Sequence, residues 1–184
     1  SDVKRQHGAA AIGALAGPTS TVEEMHLLAR LMRGLGSENI DFRLRQSDFS
    51  ADDKRKGAPW LGMPLAEVNT LDGLLLVGSF LRKDHPLLSL RVRHAAKRGC
   101  SVNVLHAADD DLLMPVAAKS IVPPDQWVMA LAEICAAVAQ IKGVNAPLPG
   151  VTARATSQAI AKNLTQGRKV ALWLGNAAVQ HPHA

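Results

Sequence analysis

The sequence predicts an α/β fold, a mainly parallel sheet with crossover helices on both faces. Three observations carry that prediction. The run Leu74-Leu75-Leu76-Val77, with Gly73 before it and Gly78 after it, is apolar without alternation, as a strand covered on both sides must be. Pro86 then sits at a first helical position, and Leu88, Val92 and Ala95-Ala96 recur at helical spacing until Gly99, with Arg91, His94, Lys97 and Arg98 on the outer side or in the last turn. Ser101 to His106 reads as a second strand, so the unit spans about 35 residues, the size of a parallel crossover.

The remaining elements follow from similar signals. Residues 10–16 are expected to form a first buried strand, ending at Gly17-Pro18-Thr19-Ser20. Thr21-Val22-Glu23-Glu24 is a capping box that opens a helix to Leu35, with Met25, Leu28, Leu31-Met32 and Leu35 as its stripe and Gly34 and Gly36 closing it. Residues 37–62 are the least regular, and the polar stretch Ser47 to Pro59 predicts a functional or mobile loop. Pro64 to Val68 suits a short helix, and Ser120-Ile121-Val122 a short strand. Pro123-Pro124-Asp125 opens a helix with the stripe Trp127, Leu131, Ile134-Cys135, Val138 and Ile141, closed by Gly143. An α/β domain over 1–142, a linker over 143–150 and a further α/β segment over 151–184 that could complete the same sheet are the expected divisions. In that last segment a weaker helix over 152–166 precedes a buried strand, Lys169 to Gly175.

Composition narrows the function classes. With 47% hydrophobic and 20% charged residues the chain has the make-up of a soluble globular protein. Aromatics are 3% and Tyr is absent, which counts against stacking of single-stranded nucleic acid. The formal charge of +5 is spread along helices, apart from Lys54-Arg55-Lys56, and so points to a solvated face or a surface that meets an acidic neighbour, not a nucleic-acid groove. Cys100 and Cys135 read as buried thiols in a reducing compartment. No apolar run approaches the roughly 18 residues of a membrane span. Lys4-Arg5 before Ala9 to Ala16 faintly mimics a signal peptide, but its apolar part is short and rich in Ala and Gly; with no initiator Met, an internal fragment is the expectation.

In open parallel sheets ligands sit outside the carboxyl ends of the strands, so Gly17 to Thr19, Gly78 to Phe80, His106 to Asp109 and Gly175-Asn176 form the natural rim of a cleft. No dinucleotide or P-loop glycine pattern follows any strand. Asp109-Asp110-Asp111 could bind Mg²⁺, and a solvated acidic loop is the plainer reading. The seven histidines show no zinc spacing, and no nucleophile motif is present. The residues by themselves therefore describe a cleft with no assigned catalytic or metal-binding side chain.

The order of the pieces adds a resemblance. Thr21-Val22-Glu23-Glu24, a helix ending Ala29-Arg30-Leu31-Met32-Arg33-Gly34-Leu35-Gly36 and then Ser37-Glu38-Asn39-Ile40-Asp41 resemble the molybdopterin oxidoreductase superfamily, where a T-x-E-E helix runs into R-x-L-G-T-x-N-I-D. Leu76-Val77-Gly78-Ser79 with His85-Pro86, Arg91 and Ala95 to Gly99 is similar to its G-S-N-P…H-P…R…A…G segment, and Gly175-Asn176 with His181-Pro182 to a later L-G…H-P element. The resemblance covers most of the chain and implies a Rossmann-like domain of the formate dehydrogenase type.

The departures have implications too. Phe80-Leu81 stands where catalytic members have Asn-Pro, Leu105-His106-Ala107 where they have Asp-Pro-Arg, and Phe42 to Gln46 replaces an Arg-x-Cys-His type of segment. Those positions would hold a pterin guanine dinucleotide, so the resemblance implies a member without the cofactor, in which Gly17, Gly78, Ser79 and His106 rim a vestigial cleft. The profile is similar to that of the large iron-sulfur subunits of bacterial NADH-quinone oxidoreductases, the respiratory complex I. This implies a non-catalytic structural and interaction domain in the electron-transferring peripheral arm. It would lie at the cytoplasmic face of the inner membrane without entering it, partnered by the other subunits. Iron-sulfur clusters would lie elsewhere in the parent subunit, since a cluster takes four ligands and two isolated cysteines cannot supply them. The competing expectations are a redox fragment that still binds molybdopterin and an unrelated Mg²⁺-dependent α/β enzyme.

Overall fold

A computed structural model of the chain describes residues 2–17, 19–42, 54, 57 and 60–183, and it divides into two compact units, 1–47 and 48–184. Apart from Lys54 and Gly57, the stretch Ser47 to Pro59 lies outside the described residues, as do Pro18 and Arg43 to Gln46.

The first unit contains α1 (Asp2–His7), β1 (Ala14–Leu15), α2 (Val22–Leu35) and β2 (Ile40–Asp41). The capping box forms: Thr21 Oγ1 accepts from the Glu24 N–H at 3.2 Å, and Glu24 Oε2 accepts from the Thr21 N–H at 2.8 Å. Helix α2 runs through Gly34 and stops at Gly36, whose φ of 85° is left-handed, so Gly36 alone is the terminator. Its expected stripe is partly buried, with Met32 buried, Leu28 and Leu35 half-buried, and Met25 and Leu31 exposed. The strand expected over 10–16 is shorter than the sequence suggests. A 3₁₀ turn occupies Ala9–Ala11, and only Ala14–Leu15 is extended, pairing in parallel with Ile40–Asp41 in a separate two-stranded sheet. Side chains take the place of a longer ladder here: Ser37 Oγ donates to Ile12 O at 2.6 Å and Asn39 Nδ2 to Ala10 O at 2.7 Å. A Gly- and Ala-rich stretch has little side chain to hold it in an extended sheet.

The second unit is the predicted α/β layer structure. Strands β3 (Gly73–Val77), β4 (Ser101–His106), β5 (Ala118–Ile121) and β6 (Val170–Leu174) form one parallel sheet in the order β5-β4-β3-β6. A short helix α3 (Leu81–Asp84) and then α4 (Pro86–Lys97) connect β3 to β4. Because side chains alternate along a strand, one face carries Leu74, Leu76, Val102, Val104, Ala171 and Trp173, packed with Val92, Ala95 and Ala96 of α4 and with Val68 of a 3₁₀ helix, Leu65–Thr70. The opposite face carries Leu75, Val77 and Leu105 against α5 (Trp127–Lys142) and α6 (Ala155–Gln166). Helices cover both faces of β3, which is why its sequence does not alternate.

Residues 143–154 join α5 to α6 inside this unit, starting with a left-handed Gly143 and including the expected linker 143–150. The last strand is not buried on both sides as expected. It is an edge strand that buries Ala171 and Trp173 while leaving Val170, Leu172 and Leu174 exposed. On α5 most of the expected stripe faces the core, with Trp127 and Ile134 buried and Leu131 and Val138 packed against them, but Cys135 and Ile141 are exposed and Ala130, Ala132, Ala137 and Ala139 widen the buried face. Alanines fit either side of a helix, so the width of the buried face of α5 is not readable from its sequence. Cys100 is buried as expected, and desolvation with nearby Asp72 pushes its thiol up to about 11. No helix among the described residues is long and apolar enough to cross a membrane.

Candidate functional site

The carboxyl ends of β3, β4 and β6 gather three of the rim residues foreseen in the sequence, Gly78, Ser79 and His106. Gly17 belongs to the other unit. Gly78 has φ 59°, and a Cβ built on it would lie 2.6 Å from Ala178 N and 2.8 Å from Cζ3 of Trp127. A Cβ on Gly175 would overlap Ser79 in the same way. Glycine is needed at both places because two backbones meet there.

Hydrogen bonds hold that approach. The Gly175 N–H donates to Val77 O at 2.8 Å, the Ala177 N–H to Gly78 O at 3.1 Å and the Gly78 N–H to Leu105 O at 2.9 Å. A one-turn helix, α7 (Asn176–Val179), therefore sits directly on the end of β3. The β3–β6 crevice is filled by protein.

Next to it lies an aromatic cluster. His106 is only 3% exposed, so it is a buried residue and not part of an open rim. Its Nδ1 accepts from the Ala108 N–H at 3.0 Å, which leaves the proton of the neutral ring on Nε2. That Nε2 is buried without a hydrogen-bond partner; the ring meets the Phe80 ring edge-on at 4.3 Å and lies 5.9 Å from Trp127. Desolvation holds the imidazole below its ordinary value, although Asp110 and Asp84 pull the other way. Trp127 donates Nε1–H to Val122 O at 3.0 Å and stacks on His181 at 6.1 Å. His181 lies 3.0 Å through Nε2 from the Pro124 carbonyl, which can only accept, so Nε2 carries the donor proton, and Nδ1 accepts from the His183 N–H at 3.1 Å. Sequence reasoning assigned no role to Trp127 or His181 at this end of the sheet, because nothing local in the sequence shows that Trp127 meets both His106 and His181.

The three consecutive aspartates go to different partners. Asp109 pairs with Lys119, Asp110 lies 3.4 Å from Lys83 Nζ and 3.9 Å from Arg82, and Asp111 accepts from the Leu113 N–H at 2.8 Å. They do not converge on a common point, and among the described residues no group of three His, Cys, Asp or Glu could hold a metal ion.

Comparison with known proteins places this architecture. The molybdopterin oxidoreductase family profile matches residues 1–115. The chain belongs to the molybdopterin oxidoreductase family. It is also similar to the G subunit of the NADH-quinone oxidoreductase of Rickettsia felis, 33% identical over 88 residues, which is 48% of this chain and 13% of that protein. Against the corresponding protein of Rickettsia conorii the identity is 33% over 81 residues, 44% of this chain and 12% of that protein. The matched stretch thus spans about an eighth of the length of these relatives.

Proposed function

We propose that this member of the molybdopterin oxidoreductase family is a non-catalytic structural and interaction domain of a protein of the NADH-quinone oxidoreductase G-subunit type. In this reading it stands in the electron-transferring arm of a respiratory complex, at the cytoplasmic face of the inner membrane, among the other subunits of that complex. The observation that carries the reading is the close approach at the strand ends: a Cβ on Gly78 would come within 2.6 Å of Ala178 N, so backbone of this chain occupies the place between β3 and β6 where a ligand of an open parallel sheet would lie. The residues beside it do not fit a pterin guanine dinucleotide either. Phe80 and Trp127 are apolar partners for His106, and a buried guanine or pyrophosphate without polar partners loses about 1–3 kcal/mol per unpaired group. Iron-sulfur clusters are assigned to other parts of the parent protein, since this chain carries two cysteines, one buried and one exposed.

The test is elemental analysis of the purified chain together with a melting titration against guanosine diphosphate. We expect neither stoichiometric molybdenum or tungsten nor a shift at micromolar nucleotide. Occupancy at 100 times the dissociation constant would add about 2.7 kcal/mol of stability. Stoichiometric metal, or a shift of that size, would replace this reading with that of a cofactor-binding redox domain.

A further inference from the structure

Helix α4 uses one side for the core and leaves an unusual other side. Ser89, Val92, Ala95 and Ala96 face inward and are buried. At 100° per residue the opposite arc collects Leu87, Leu90, Arg91, His94, Lys97 and the following Arg98, with Arg93 at its margin. The helix contains no acidic residue. Among the described residues no ion pair reaches Arg91, Arg93, Lys97 or Arg98, although Glu67 and Asp84 stand on the neighbouring elements. Leu87 is 80% exposed and Leu90 51% exposed, so two large apolar side chains lie in water within a ring of unpaired cations.

We propose that this face of α4 docks on an acidic surface of another protein subunit, with Leu87 and Leu90 at the centre of the contact and Arg91, Lys97 and Arg98 at its rim. An apolar centre with a charged rim is the anatomy of a protein–protein interface. Nucleic acid fits less well, because phosphates give nothing back for two desolvated leucines. A membrane surface is also disfavoured: an interfacial helix lays a wide apolar face into the bilayer, and the wide apolar face of α4 is already spent on the core. The proposal rests on the reading of the chain as an interaction domain in a multi-subunit assembly and says where on the domain the contact lies.

The test uses the full-length parent protein in its own cells. A photo-crosslinking amino acid placed at Leu90 should join it to one other subunit, through a peptide in which Asp and Glu outnumber Lys and Arg. The double reversal Lys97→Glu with Arg98→Glu should lower the fraction found in the assembly on the order of tenfold, as should about 0.5 M salt for the unaltered protein. Lys162→Glu, on the exposed side of α6, should change nothing. Crosslinks to lipid, to nucleic acid or to a peptide without acidic excess overturn the proposal, and so does normal assembly of the double reversal. If the double reversal fails to fold, the Leu90 crosslink decides alone. A parent protein that associates with no other subunit removes the interaction-domain reading as well; normal assembly without any α4 effect removes only the docking face.

Discussion

His106 ends β4 with both ring nitrogens out of water: one accepts from the Ala108 N–H, and the other faces its aromatic neighbours without a partner. Charging this ring would place a cation in a site 3% exposed, so folding holds its pKa below the ordinary histidine value, chiefly by desolvation. The unfolded chain takes up the proton near pH 6.5 and the folded one only at lower pH. The contribution is therefore fully present above about pH 6.5 and is lost as pH falls through the folded value, at up to about 1.4 kcal/mol per pH unit. We expect His106→Asn, which keeps an acceptor near Ala108 but does not titrate, to flatten the dependence of unfolding free energy on pH below about 6.5. Denaturant titrations at several pH values check this, and parallel curves for the two proteins would show that His106 is not the group being charged. The position of His106 at a strand end was legible in the sequence, because the run from Ser101 is a clear strand. Its burial was not, since Phe80 and Trp127 lie more than twenty residues away on either side and meet it only in the folded sheet.

Helices α5 and α6 are joined by a contact that no sequence pattern announced. Glu133, 6% exposed, accepts from Arg154 Nε at 2.8 Å, from the Arg154 N–H at 3.2 Å and from Ser157 Oγ at 2.8 Å. Arg154 precedes the first residue of α6 and its side chain caps nothing, so the carboxylate from α5 supplies the acceptor and the negative charge that a helix start favours. Burial alone would raise the Glu133 pKa, but its hydrogen bonds from Arg154 and Ser157 outweigh that and hold it below the usual value. We expect Glu133→Ala to destabilise the chain by about 1–3 kcal/mol, because it strands the buried Ser157 hydroxyl while the half-exposed Arg154 side chain can return to water, and Glu133→Gln to cost less. Chemical denaturation measures both, and faster amide exchange at the start of α6 should accompany the Ala variant; an Ala variant as stable as the parent would remove the strut. The β3–α4–β4 unit was readable because its boundaries are chemical: Pro86 opens the helix, left-handed Gly99 follows it, and the apolar run between two glycines admits one reading. Helix α5 was found with the centre of its stripe in place, Trp127 and Ile134 buried and Leu131 and Val138 packed against the same core; its edges were not readable, since alanines fit a core or a surface equally and the buried Glu133 breaks the apolar rule.

In the larger unit, strand order is the feature that the sequence left open. Successive strands usually neighbour one another, yet the last strand crosses back to pair with β3 and so becomes the sheet edge. Its composition reads as a buried strand because Ala171 and Trp173 do face the core; the alternating residues Val170, Leu172 and Leu174 are equally apolar but 37%, 58% and 52% exposed. Periodicity cannot separate those two sets when both are apolar. An edge strand with free backbone groups and exposed leucines invites pairing between copies, and natural edges are commonly blunted by an inserted lysine. We therefore expect the isolated chain to self-associate as its concentration rises and Leu172→Lys to suppress this, shown by sedimentation velocity. Since Leu172 points away from the packed face, stability should change by no more than about 0.5 kcal/mol. Unchanged self-association would direct attention away from the β6 edge, whereas a large loss of stability would mean that Leu172 contributes to the core despite its exposure.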